Sequence, residues 1–71
     1  MNRDFHKELF SLMIINKTIT AFAHLADISF NETDSHWKVH FENCKFDIEK
    51  TASEFENYLI QLEFMESKRV V

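Results

Sequence analysis

The stretch His36-Trp37-Lys38-Val39-His40-Phe41-Glu42 alternates polar and apolar side chains without a break. Trp37, Val39 and Phe41 fall on one side of an extended chain and His36, Lys38, His40 and Glu42 on the other. That is the pattern of a strand with one buried face. Just upstream, Ile28 and Phe30 alternate with Ser29 and Asn31, and the polar run Asn31-Glu32-Thr33-Asp34-Ser35 lies between the two segments. Two alternating runs with a short polar connection read as an antiparallel hairpin.

Downstream, Asp47 to Arg69 reads as one amphipathic helix. Ile48, Ala52, Phe55, Leu59 and Leu62 recur at spacings of four and three along one stripe. Asp47 is a suitable N-cap, and Glu49 near the start with Lys68 and Arg69 near the end complement the helix dipole. Tyr58, Ile60, Phe64 and Met65 carry apolar surface around to the flanks of that helix, which points to a second packing partner.

Upstream of the hairpin the pattern is ambiguous. Residues 1–7 are polar and are expected to fray. In Glu8 to Ile15, Phe10, Leu12 and Ile14 alternate with Leu9, Ser11, Met13 and Ile15, as in a strand buried on both faces. Phe5, Leu9, Leu12 and Met13 also fit a helical stripe. The β-branched pair Ile14-Ile15 and the stop at Asn16 favour the strand. Lys17 to Ala26 then forms a short helix capped by Asn16 or Thr18, with Ile19, Phe22, Ala23 and Ala26 inward and Lys17, Thr20, His24 and Asp27 outward.

The expected fold is α+β: one domain over residues 1–71, in the order β-α-β-β-α, with a three-stranded sheet and two helices on one face. This is a ferredoxin-like unit without its last strand. Its first strand would present an open edge, and open edges are either covered or used to add a partner's strand. The partner-binding residues expected on that edge and on the flank of the last helix are Leu9, Ser11, Met13, Ile15, Ile60 and Phe64.

Composition narrows the function classes. The net charge of −4 argues against a nucleic-acid ligand, whose phosphates call for a basic surface. The absence of glycine excludes a glycine-rich phosphate loop. The single cysteine, Cys44, has no internal disulfide partner, which fits a reduced cytoplasm. The N-terminus carries no signal-like apolar core, and the apolar run Leu9 to Ile15 is too short for a bilayer, so no membrane role is expected. Eight phenylalanines in 71 residues are generous for a domain this small, which packs unusually well or completes its core against another chain.

Little here has the form of a catalytic or metal site. His36, His40 and Cys44 stand four apart, a chelating spacing on a helix. On a strand, positions four apart are separated by about 13 Å, too far for ligands of one zinc ion. His24 lies near Asp27, yet Ser11, Ser29 and Cys44 have no mark of an activated nucleophile. The carboxylates of the last helix lie along its surface rather than across a cleft. A non-catalytic binding protein without cofactor or metal is the reading these residues favour.

The layout also resembles a known family. Asn16-Lys17-Thr18-Ile19 leads into a short Ala/Phe/His helix, and Leu25-Ala26-Asp27 leads out into Ile28-Ser29-Phe30. Trp37-Lys38-Val39-His40-Phe41 follows, then a helix carrying Glu54-Phe55-Glu56-Asn57 and Leu59-Ile60-Gln61. Together these resemble the HxsD-like proteins, small members of the His-Xaa-Ser peptide-maturation systems found beside radical SAM enzymes. In Leu59-Ile60-Gln61-Leu62-Glu63-Phe64-Met65-Glu66-Ser67 the apolar positions of that family's C-terminal signature agree, while its Asp-Tyr and Arg-Glu elements are absent. The resemblance implies an accessory subunit that engages a peptide or a radical SAM enzyme. It is not that enzyme itself, because one cysteine cannot hold an iron–sulfur cluster in the usual three-cysteine way. Two other readings stand beside it: an acidic, antitoxin-like inhibitor acting through Glu49, Glu56 and Glu63, and a structural homodimer.

Overall fold

A computed structural model describes residues 1–68. The elements are β1 (Asn2–His6), α1 (Leu12–Phe22), β2 (Asp27–Glu32), β3 (His36–Glu42) and α2 (Ile48–Lys68). The fold is α+β in the expected β-α-β-β-α order, with β3 in the centre of the sheet, β1-β3-β2. Both neighbours pair antiparallel to β3, so β1 and β2 run parallel to each other at the two edges.

The hairpin forms where the alternation placed it. The Thr33 N–H donates to the His36 carbonyl at 2.9 Å, and the Thr33 hydroxyl accepts from the His36 N–H at 3.0 Å. Trp37, Val39 and Phe41 then face Ile14, Ile15 and Phe22 of α1 and Ala52, Phe55 and Leu59 of α2, so both helices cover one face of the sheet. Phe55 is the hub of this core. Its ring lies 5.1 Å from Phe41, 5.5 Å from Phe22 and 5.9 Å from Phe5, centre to centre. Burying rings of this size supplies much of the apolar area that a short chain needs.

The N-terminal third departs from the sequence reading. Residues 8–15 are not a strand: a turn follows His6, Ser11 is an N-cap, and α1 begins at Leu12. The Ser11 hydroxyl accepts from the Ile14 N–H at 3.3 Å. Ile14, Ile15, Thr18 and Phe22 make the buried stripe of α1. That 3.6-residue stripe reaches the core, whereas a period of two would have pointed every other apolar residue away from it. The short helix therefore runs from Leu12 to Phe22 rather than from Lys17 to Ala26, and Asn16 and Thr18 lie inside it instead of capping it. Thr18 is fully buried, with its hydroxyl donating to the Ile14 carbonyl at 2.8 Å. Asp27 opens β2 and accepts from Asn43 Nδ2 at 2.8 Å, so it does not share a helix face with His24.

The first strand is instead Asn2–His6, in the segment expected to fray. Phe5 is its one buried apolar side chain, and Arg3 reaches Glu56 on α2 at 3.1 Å. The ladder to β3 holds the rest. α2 starts as expected, with the Asp47 side chain accepting from the Glu49 N–H at 3.4 Å. The contribution expected of Arg69 lies outside the described residues.

Candidate functional site

Phe22 meets Tyr58 at 5.6 Å between ring centres, while Lys17 meets Glu66 at 3.2 Å. The two helices therefore run antiparallel. Between them, on the side away from the sheet, lies an open groove of about 720 Å³. Leu12, Met13 and Ala21 of α1 and Tyr58 and Leu62 of α2 supply its apolar lining. Amphipathic helices normally turn such residues inward, yet Leu12, Met13 and Tyr58 are exposed, Met13 to 53%.

A second, smaller hollow of about 290 Å³ lies on the other flank of α2. Leu9 and Phe10, from the turn after β1, meet Ile60, Glu63 and Phe64 there. Leu9 is 62% exposed and Phe64 58%. Glu49, Glu56 and Glu63 recur two turns apart, so they share this flank. The Arg3–Glu56 contact fixes the flank over β1.

The residues expected to bind a partner are thus divided. Leu9, Ile60 and Phe64 come together at the smaller hollow, and Met13 lines the larger groove. Ser11 is engaged as the cap of α1. Ile15 has no exposed surface, so it is a core residue and cannot touch a partner. None of Leu9, Ser11, Met13 and Ile15 lies on an edge strand, because that edge is built from Asn2–His6. Leu12 was missed as a groove residue, since a strand reading gives it no helical neighbours. Tyr58 was legible as flank surface, but not which element it faced.

The polar face of the sheet gathers three histidines. The rings of His6 and His36 lie 4.7 Å apart across β1 and β3. The Glu8 N–H donates to His6 Nδ1 at 3.2 Å, and Ser35 Oγ lies 2.7 Å from His36 Nδ1. His40 sits between Asn2 Oδ1 and Glu42 Oε1. Cys44 is half-buried against the core, away from this face. Among the described residues no group of three or more His, Cys, Asp or Glu is placed to hold one metal ion, and no helix is long and apolar enough to cross a membrane.

No protein-family model matches the chain, and neither does any curated protein or solved structure.

Proposed function

We propose that this chain is a non-catalytic accessory protein that docks on a partner enzyme through the groove between α1 and α2. The observation that carries the reading is the exposed apolar lining of Leu12, Met13 and Tyr58, with half-buried Leu62 beneath it, set between two helices already anchored on the sheet. A rigid concave strip of this kind suits an apolar ridge of another protein, with little ordering cost on this side. The resemblance of the sequence to HxsD-like proteins supports a peptide-modifying radical SAM enzyme as that partner, in a reduced cytoplasm. Two polar groups weighed for chemistry have structural work: Ser11 caps a helix, and His40 is held on both ring nitrogens.

The inhibitor reading draws less support. Of the carboxylates on α2, Glu56 is paired with Arg3 and Glu66 with Lys17, which leaves a weaker field for steering toward a basic effector.

The test is an anaerobic pull-down from native cytosol with the tagged chain and with Met13→Lys. Met13 is exposed, so the variant should keep its circular dichroism spectrum and melting temperature. Ile14→Lys would be uninformative because Ile14 is core. Capture of an iron–sulfur peptide-modifying enzyme by the parent, lost in Met13→Lys, is the expected result. An eluate containing only this chain, or capture unaffected by the lysine, would overturn the reading.

A further inference from the structure

The outer edge of β1 is a second, separate opportunity for recognition. Met1 and Phe41 exchange both backbone hydrogen bonds, at 2.8 and 3.3 Å, and the Lys7 N–H donates to the Ser35 carbonyl at 2.9 Å. In an antiparallel ladder the bonded pairs alternate, so Arg3 and Phe5 also direct their N–H and C=O groups at β3. Asn2, Asp4 and His6 therefore direct theirs outward. The His6 carbonyl is taken by the N–H groups of Leu9 and Phe10, at 3.0 and 3.1 Å. No strand among the described residues pairs with the remaining outward groups.

What stands over this edge is specific. From Glu56, above Arg3, to Ile60 and Phe64, beside Leu9, α2 runs in the same direction as β1. A strand laid beside β1 would thus meet Glu49 and Glu56 near the Asn2 end, and the apolar hollow of Leu9, Ile60 and Phe64 near the His6 end. Self-pairing of two copies fits poorly. It would bring two rows of Glu49, Glu56 and Glu63 together, and the centred register would set Asp4 opposite Asp4.

We infer that the open edge of β1 takes an extended segment of a partner peptide as a fourth, antiparallel strand, with apolar side chains toward Leu9, Ile60 and Phe64 and basic ones toward Glu49 and Glu56. Antiparallel addition continues the pairing of the whole sheet and has the better hydrogen-bond geometry. The proposal rests on the reading of the chain as a binding module, but it uses a different surface from the α1–α2 groove and is tested with the isolated chain.

The probe is an acetylated octapeptide in which threonine alternates with two leucines and then two lysines. Its leucine and lysine side chains would face α2, and its threonine amides would face β1. Titration followed by amide NMR should give saturable shifts at Asn2, Asp4 and His6 and slowed exchange of those amides. Asp4→Pro removes an outward N–H that β3 does not use, so the fold should survive while affinity drops about tenfold or more. If that variant fails to fold, the octapeptide N-methylated at its threonines asks the same question of the parent chain, and it should not bind. Replacing the two lysines by glutamates should also abolish binding.

No binding of the octapeptide, equal binding of the N-methylated or glutamate version, or shifts at Ile28, Phe30 and Glu32 of the β2 edge instead would each overturn the proposal. So would a chain that dimerises and becomes monomeric in Asp4→Pro, since a second copy would then own the edge. Failure of enzyme capture leaves these results standing. An inert edge beside a working groove would in turn sink only this inference.

Discussion

With no glycine in the chain, the left-handed position after β3 falls to Asn43, whose φ is 51°. Asparagine tolerates that region better than other residues with a Cβ, because its short side chain bonds locally. Here the side chain bonds Asp27, at the start of the neighbouring strand, which ties the end of β3 to β2. Asn43→Ala should lower stability by about 1–2 kcal/mol, through backbone strain plus the lost side-chain bond. Asn43→Gly removes the bond but relieves the strain, and should stay within about 0.5 kcal/mol of the parent. Urea denaturation midpoints for the two variants separate the contributions. If alanine and glycine cost the same, the side-chain bond rather than the dihedral governs the turn. Phe55 is the opposite case, a residue whose role is all packing. Phe55→Ala should cost about 3–5 kcal/mol, from lost burial plus the cavity among Phe5, Phe22 and Phe41. A domain of 71 residues has a total stability of roughly 4–11 kcal/mol, so the variant should be largely unfolded in mild denaturant that the parent tolerates. Both roles differ in legibility. Phe55 was readable from its stripe, whereas the turn at Asn43 had only an asparagine to mark it.

At the scale of elements, β2, β3 and α2 were legible because each carries several apolar residues at one clear period. β1 was not, because a five-residue edge strand with one wet face needs very little apolar signal. Phe5 alone supplies it, and Arg3 faces α2 as a charged residue. α1 was misread for a different reason. Leu9 to Ile15 is apolar at nearly every position, so both periods fit, and the β-branched Ile14-Ile15 pair tipped the choice toward a strand. The signal that would have decided it is Ser11, which has the chemistry of an N-cap directly before Leu12. Ser11→Ala should therefore destabilise the domain by about 1 kcal/mol, while Ser11→Asp, which keeps an acceptor, should lose little. Thermal melts of the pair test whether the helix start depends on that cap. Equal losses in both variants would show that tertiary packing of Ile14 and Ile15 alone sets where α1 begins.

Across the whole molecule, the two flanks of α2 serve different recognition chemistries, and this has a measurable consequence. The groove with α1 is lined mainly by Leu12, Met13, Ala21, Tyr58 and Leu62, and its nearest opposite charges, Lys17 and Glu66, already pair with each other. Docking there should respond weakly to ionic strength, because burial of apolar surface is not screened by salt. The β1 flank carries Glu49, Glu56 and Glu63, and Arg3 lies against Glu56. A basic segment on that flank makes exposed ion pairs, which weaken as the Debye length falls from about 10 Å at 0.1 M salt to about 3 Å at 1 M. Raising sodium chloride across that range should therefore reduce octapeptide affinity several-fold while leaving capture of the partner enzyme nearly unchanged. Glu49→Gln should flatten the salt response of the peptide without touching the groove. The reverse pattern, salt-sensitive enzyme capture and salt-insensitive peptide binding, would mean that the carboxylate flank is the enzyme's docking face and that Met13 and Tyr58 serve the peptide.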